Sequence, residues 1–144
     1  MVYRERAAWS GLIAAVVTIA VYVVLVLRSA GGGPLDRADW FPPMLWSIGG
    51  GIALSILLTI VWGIVAARRD PESATASDIR DRDIDRMGAR VEQAFLVIAG
   101  LVVIVLCAIG ADVFWIANAM FAGFAVSSVI GGIARVIAYR RGLV

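Results

Sequence analysis

Four long runs of apolar residues constrain this chain more than any other feature of its sequence. The runs cover about residues 7–27, 44–67, 91–110 and 113–139, and charged residues are scarce within them. About 20 helical residues, each rising ~1.5 Å, cross a hydrocarbon core of ~30 Å. Because lipid offers no partner to a free backbone amide, spanning segments are helices. The sequence therefore predicts an all-α, four-helix transmembrane bundle made of two antiparallel hairpins.

The composition agrees with a single membrane domain over residues 1–144. Hydrophobic residues make up 61% of the chain and charged residues 17%, whereas a soluble domain averages roughly 45–50% and 25%. Arg4 and Arg6 precede the first run, as they would in a signal peptide. That run is too long for a signal-peptide core, and Arg28 follows it where small cleavage-site residues would stand. We therefore expect a retained helix.

The distribution of arginine predicts the orientation of the chain in the membrane. All 13 basic residues are arginine. Arg28 and Arg37 belong to the connection at 28–43, and the remaining arginines lie at the opposite ends of the runs. Because positively charged connections stay in the cytoplasm, we expect both termini and the loop at 68–90 to be cytoplasmic. The connection at 28–43 and the short turn near Gly110 are then external.

The loop between the second and third runs carries the most informative charge pattern. On a helix with 100° per residue, residues 78–92 sort into an acidic flank, an arginine flank and an apolar stripe. One interpretation is a solvated helix held by local ion pairs worth roughly 0.2–0.5 kcal/mol each. The other is a face that docks onto anionic lipid or an acidic partner. The candidate docking residues are Arg82, Arg86, Arg90, Ile84 and Met87.

The same segment has part of the spacing of a calcium-binding EF-hand loop. Four acidic residues match loop positions one, three, five and twelve; they are Asp81, Asp83, Asp85 and Glu92. The sixth position needs a glycine for its turn, and here it is Arg86. We therefore predict a continuous helix, begun by a capping box at Thr75 and Asp78, with no bound metal and no other cofactor.

Small residues recur at every fourth position of the fourth run. This small-residue ladder consists of Ala119, Gly123, Ser127 and Gly131. Faces of this kind let helices approach closely in lipid. The ladder therefore predicts helix–helix packing, either within the protein's own bundle or between copies in a homo-oligomer.

Two polar side chains inside the fourth run are further candidates for a special role. Asn118 lies about one turn below the outer interface, where it would hydrogen-bond a neighbouring helix or line a small cavity. Arg135 lies about one turn inside the cytoplasmic edge. It would either extend toward the head groups or pair with Glu92 at the same membrane level.

The residues that the sequence lacks argue against an enzyme. There is no histidine, and the middle of each run is free of acidic residues. The single cysteine, Cys107, therefore has no histidine base to activate it. A proton-coupled exporter would lack its intramembrane carboxylate. We predict a protein without catalytic residues.

Three phrases of the sequence resemble a known family when they are taken together. They are residues 81–86 followed by Gly88, residues 111–118, and residues 139–142. They resemble a family of small bacterial four-span membrane proteins of undetermined activity, often encoded beside a helix-turn-helix transcriptional regulator. The resemblance covers roughly the C-terminal half. It implies a bacterial inner-membrane location and a partnership with a DNA-binding protein.

The expected function is that of a non-enzymatic membrane sensor or tether. It would modulate a cytoplasmic partner, of which a transcriptional regulator is one candidate, without binding nucleic acid itself. The alternative is a small oligomeric transporter or channel subunit. That alternative needs a wet path faced by Asn118, Ser127 and Thr59.

Overall fold

The computed structural model describes residues 3–69 and 79–141. Within them the chain forms four long α-helices and one short 3₁₀ turn at Leu35–Arg37. The helices are α1 (Tyr3–Ala30), α2 (Phe41–Arg69), α3 (Ile79–Ala108) and α4 (Val113–Arg141). Each is long and apolar enough to cross a membrane. The all-α fold and the four membrane-spanning segments predicted from the sequence are confirmed.

The helices pack as two antiparallel hairpins that meet along α1 and α4. α1 packs against α2, α3 packs against α4, and α1 also packs against α4. The contact between α3 and α4 is the most extensive of the three. The spatial order of the helices is therefore α2, α1, α4, α3, and α2 and α4 flank a groove that has α1 as its floor.

A tight turn joins α3 to α4 at one end of the bundle, which we call the outer end after the orientation that the arginine distribution predicts. Gly110 has a φ of 68°, a left-handed conformation that glycine adopts without steric cost. The Ala111 amide donates to the Leu106 carbonyl at 3.0 Å, which closes the last turn of α3 as a Schellman motif. The Asp112 carboxylate then accepts from the Phe114 amide at 2.8 Å and caps α4. Because this link is so short, it holds the two helices antiparallel.

The connection between α1 and α2 folds back over the outer end of the bundle. Gly31 and Gly32 adopt positive φ values of 56° and 83° and turn the chain after α1. α2 then begins at Phe41, three residues before the start at Met44 that hydropathy suggests. Its two prolines occupy the first turn, where a backbone N–H would lack a helical partner in any case. α2 therefore begins earlier than the apolar run at 44–67 predicts.

The third helix begins well before its apolar run. α3 starts at Ile79 and α2 ends at Arg69, so helix covers much of the segment expected as a cytoplasmic loop. The capping box at Thr75 and Asp78 lies outside the described residues. At ~1.5 Å per residue from Gly110, Glu92 lies ~27 Å down the hairpin, close to the far edge of a ~30 Å hydrocarbon core. We call residues 79–91 of α3 and 136–141 of α4, which continue beyond that level, the stem.

Candidate functional site

An ion pair joins α3 to α4 where the stem begins. Arg135 donates from both terminal nitrogens to Glu92, with distances of 2.6 Å from Nη1 to Oε1 and 3.1 Å from Nη2 to Oε2. Such a two-pronged arrangement is stronger than a single contact and fixes the orientation of both groups. The Nε atom also lies 3.9 Å from Asp85 Oδ1. Of the two roles expected for Arg135, the structure shows the pair.

Two glycines make room for this ion pair. A Cβ atom added at Gly88 would lie 2.5 Å from Nε and 2.7 Å from Cγ of Arg135. A Cβ atom added at Gly131 would lie 2.5 Å from Oε1 of Glu92. Both helices therefore need a residue without a side chain where they cross the pair. The sequence analysis assigned no such role to Gly88. Its position on α3 between two acidic residues, Asp85 and Glu92, could have indicated that an arginine passes close to it.

The small-residue ladder faces α3 within the same chain. Gly123 packs against Ala99, and the Ser127 hydroxyl donates to the Glu92 carbonyl at 2.9 Å. Gly131 packs against the Glu92 side chain, one turn further along α4. Ala119 is half-buried at the outer end of the ladder. The protein's own third helix therefore covers this face, so the face is not available to a second copy in this arrangement.

The apolar stripe of the stem faces inward. Ile84 has 0% of its surface exposed and is the largest fully buried side chain among the described residues. Met87 is half-buried on the next turn. The prediction that Ile84 is a docking residue is therefore wrong, because a partner cannot reach a side chain with no exposed surface. Its burial instead fixes the rotation of α3 about its own axis.

The arginine flank of the stem faces outward. Arg82, Arg86 and Arg90 are all exposed, and the Arg86 side chain keeps 73% of its surface. Arg86 Nη1 lies 3.6 Å from Asp83 Oδ1, a local pair one turn apart. An exposed pair of this kind contributes little to stability. The three side chains thus form a column on a helix whose orientation is set from the opposite side.

The acidic residues with EF-hand spacing lie on an uninterrupted helix. α3 runs without a break from Ile79 to Ala108, so these side chains spread along the helix instead of surrounding one point. Among the described residues, no three His, Cys, Asp or Glu side chains gather as a metal site would require. The continuous helix expected here is present.

Two polar contacts join α1 to its neighbours at the end of the bundle near the stem. The indole N–H of Trp62 on α2 donates to the Ser10 hydroxyl on α1 at 2.8 Å. The Arg140 guanidinium lies 5.4 Å from the centre of the Trp9 ring, within the range of a cation–π interaction. Sequence reasoning missed both pairs. The sequence signal for the first pair is the position of Ser10 and Trp62 near the same end of adjacent antiparallel helices.

The outer end of the bundle is held by a largely apolar cluster. Tyr22, Val26, Met44 and Phe114 are buried there, and Leu35 and Trp40 from the connection pack against them. The Tyr22 hydroxyl donates to the Asn118 side-chain oxygen. The Asn118 amide nitrogen donates in turn to the Phe114 carbonyl at 2.9 Å. Asn118 thus bonds across helices, the first of the two roles expected for it.

A groove of 660 Å³ opens between α2 and α4. Most of its walls are apolar, and its polar lining residues are Thr18, Ser47, Ser55, Ser128, Glu92 and Arg135. Ser47 is 5% exposed, and its hydroxyl is buried without a hydrogen-bond partner.

The three residues expected to face a wet path do not share the groove. Asn118 bonds Tyr22, Ser127 lies between α3 and α4, and the exposed Thr59 donates to the Ser55 carbonyl at 2.8 Å. That path was wrongly assigned, because the three side chains face different neighbours.

Comparison with known proteins gives no relative from which to transfer a role. No family model matches the chain, and neither a curated protein nor a solved structure matches it significantly. The fold and site just described are therefore the basis for a functional proposal.

Proposed function

We propose that this multi-pass membrane protein is a non-enzymatic component of a bacterial inner membrane that holds or modulates a cytoplasmic protein. The observation that carries the proposal is the exposed arginine column of the stem. Arg82, Arg86 and Arg90 stand on one face, while buried Ile84 fixes the opposite face of the helix. Arginine columns on a fixed helix suit acidic surfaces, because guanidinium groups bind carboxylates and phosphates in a defined geometry.

The orientation rests on the distribution of arginine. Eleven of the 13 arginines belong to the end of the bundle that carries the stem, since Arg28 and Arg37 are the two exceptions. The positive-inside tendency then places the stem in the cytoplasm. The proposed partner is therefore a cytoplasmic protein with an acidic surface, and a transcriptional regulator fits the resemblance noted in the sequence.

The length of the stem separates lipid-facing from partner-facing arginines. Measured from Gly110 at ~1.5 Å per residue, Arg90 lies ~30 Å, Arg86 ~36 Å and Arg82 ~42 Å along α3. With Gly110 at the outer edge of the hydrocarbon core, that core ends at ~30 Å, and head groups add ~5–8 Å on each side. Arg90 and Arg86 thus face head groups, and Arg82 reaches the cytoplasm. The stem touches membrane and partner at once.

A sensing role follows from the way in which the stem is attached. The ion pair between Glu92 and Arg135 couples α3 to α4 at the membrane edge. A change in bilayer thickness or packing that tilts the hairpin therefore moves the arginine column with it. A bound partner would experience a change in position or access without any chemistry at the site.

Crosslinked co-purification from native membranes tests the proposal. The variant replaces Arg82, Arg86 and Arg90 with glutamine, which removes the charge and keeps the side chains polar. A matched control replaces Arg28 and Arg37 with glutamine at the opposite end of the bundle. We expect wild type and control to recover equal amounts of the same soluble protein. The stem variant should recover at least tenfold less of it. Equal recovery by all three proteins, or recovery of the chain alone, contradicts the proposal.

The groove supports one alternative function, a small oligomeric transporter or channel subunit. Its polar lining residues and its 660 Å³ volume are the supporting observations. Flux through this groove would fall when Ser55 is replaced by phenylalanine, which would fill the groove. Reconstitution in liposomes tests the alternative, and the absence of any flux in wild type counts against it.

A further inference from the structure

The groove between α2 and α4 has the dimensions of a site for one small molecule. Its 660 Å³ volume lies within the ~300–1,000 Å³ range of ligand sites in proteins. Its walls include Ile48 and Ile52 on α2 and Phe124 on α4. At this depth a bilayer offers no water to fill an apolar cavity. The occupant must therefore bring hydrocarbon of its own.

The charged partners of such an occupant lie at one end of the groove. Glu92 and Arg135 line the end next to the stem, whereas Phe121 lies toward the outer end. From Phe121 to Arg135 the groove follows α4 for ~21 Å. One leaflet contributes about half of the ~30 Å hydrocarbon core. A lipid in the leaflet nearest the stem can thus lay an acyl chain along the groove with its head group beside the ion pair.

The ion pair selects the kind of head group. Glu92 and Arg135 keep 28% and 23% of their side-chain surface exposed. Two nitrogens of Arg135 contact Glu92, and a guanidinium has five N–H donors in all, while each carboxylate oxygen has two lone pairs. Both groups can therefore bind a further partner while the pair stays intact. A phosphate suits the guanidinium, and an ammonium suits the carboxylate.

We propose that the groove binds one zwitterionic phospholipid from the leaflet nearest the stem. One of its two acyl chains lies against α1, and its phosphate and ammonium contact Arg135 and Glu92, respectively. An anionic head group without an ammonium would place its negative charge beside Glu92 uncompensated, so it binds less tightly. This site is separate from the proposed partner of the stem and does not depend on that partner.

Two matched variants on α2 test the site. Ser55 lines the groove, whereas Ala53 is exposed on another face of the same helix. Wild type, Ser55→Phe and Ala53→Phe are purified in mild detergent with equal amounts of phosphatidylethanolamine and phosphatidylglycerol that have identical acyl chains. Native mass spectrometry then counts the bound lipid. We expect wild type and Ala53→Phe to retain one phosphatidylethanolamine, with at least tenfold preference over phosphatidylglycerol. The fraction of Ser55→Phe that retains this lipid should be at least tenfold lower.

Three outcomes would overturn the proposal. They are equal lipid retention by Ser55→Phe and Ala53→Phe, preference for phosphatidylglycerol, and a lipid-free dimer that shows a second copy in the groove. Circular dichroism checks that each variant is folded. Should Ser55→Phe not fold, Ser128→Phe fills the groove from the α4 wall, with the exposed Val126→Phe as its control.

Discussion

At the outer end of the bundle the side chains that meet between helices are mostly aromatic and aliphatic, whereas at the stem end charged and hydrogen-bonding side chains meet beside the buried Ile84. Phe114, Met44 and Val26 exemplify the first group, and Glu92 and Arg135 the second. Lipid tails are as apolar as the outer cluster, so van der Waals packing, together with the hydrogen bond from Tyr22 to Asn118, holds that cluster together. The stem end depends instead on specific partners, because neither member of an ion pair is stable alone near lipid.

The two ends of the bundle also differ in how accessible they are to a partner. The outer end is closed by the tight turn at Gly110 and by the connection that packs Trp40 onto Phe114. The stem end exposes the arginine column, and Glu92 and Arg135 line the groove beside it. The apolar cluster at the outer end can adjust to a side chain of another shape, whereas the ion pair at the stem end needs both of its members. We therefore expect substitutions at the two ends to differ in their effect on stability. All of the following stabilities are measured as free energies of unfolding by SDS in mixed micelles.

The largest effect is expected from Gly88→Leu. The new side chain would occupy the space of Arg135 Nε and Cγ, so it separates the ion pair as well as crowding the helices. We expect a loss of about 3 kcal/mol. Gly100→Leu on the same helix is the control, because a Cβ atom there meets nothing within 4 Å. Equal losses in the two variants would show that α3 and α4 do not approach closely at the stem.

Removing one member of the ion pair should have the next largest effect. Glu92→Ala or Arg135→Ala leaves a partly buried charge without its partner. Since about a quarter of each side chain is exposed, at 28% and 23%, we expect about 2 kcal/mol for each variant, below the full cost of a broken buried pair. The double variant should lose less than the sum of the two. Additive losses would mean that the two groups do not interact in the membrane.

At the outer end, a change of shape should cost less than the loss of a partner at the stem. Phe114 is 3% exposed, whereas its neighbour Trp115 is 51% exposed. We expect Phe114→Leu to lose about 1 kcal/mol because the cluster adjusts to the smaller side chain. Trp115→Leu serves as the exposed control and should change stability less. A larger loss of stability in Trp115→Leu than in Phe114→Leu would mean that the outer cluster packs around another face of α4.

The smallest effect is expected for the single hydrogen bond across the outer end. Tyr22→Phe removes the donor to Asn118 and keeps the ring that packs against Phe121. Hydrogen bonds between transmembrane helices are worth about 0.6 kcal/mol on average, and we expect a loss of that size. A loss as large as that of Arg135→Ala would remove the contrast between the two ends.

The sequence predicts the four spans because the length of an apolar run is a local property that lipid selects directly. It also places Glu92 and Arg135 at one membrane level, because level depends only on distance along each helix. Whether they meet depends on the rotation of α3 and α4, which Ile84, Gly88 and Gly131 determine together. Rotation is a property of the assembled bundle, so the helical pattern of residues 78–92 could not show that Ile84 is buried within the protein itself.

The groove could not be predicted from the sequence for a related reason. Its lining residues come from all four helices and include Leu12, Ile52 and Phe124, each of which looks like an ordinary lipid-facing residue when its helix is considered alone. Only the packing of α2 and α4 on α1, with α3 beyond α4, leaves that corner open. The prediction that Asn118, Ser127 and Thr59 face one path was wrong for the same reason. The sequence does not show which neighbouring helix each side chain faces.

Site-specific photocrosslinking in living cells tests most directly the claim that the stem contacts a cytoplasmic protein. A photoreactive amino acid replaces Arg82 in one strain, leaving Arg86 and Arg90 in place, and Gln93 in another. Both positions are exposed on α3, but Gln93 lies ~25 Å from Gly110 and so within the hydrocarbon core. The account predicts a crosslink from position 82 to a cytoplasmic protein and from position 93 to lipid. Lipid adducts or self-crosslinks alone at position 82 would contradict it.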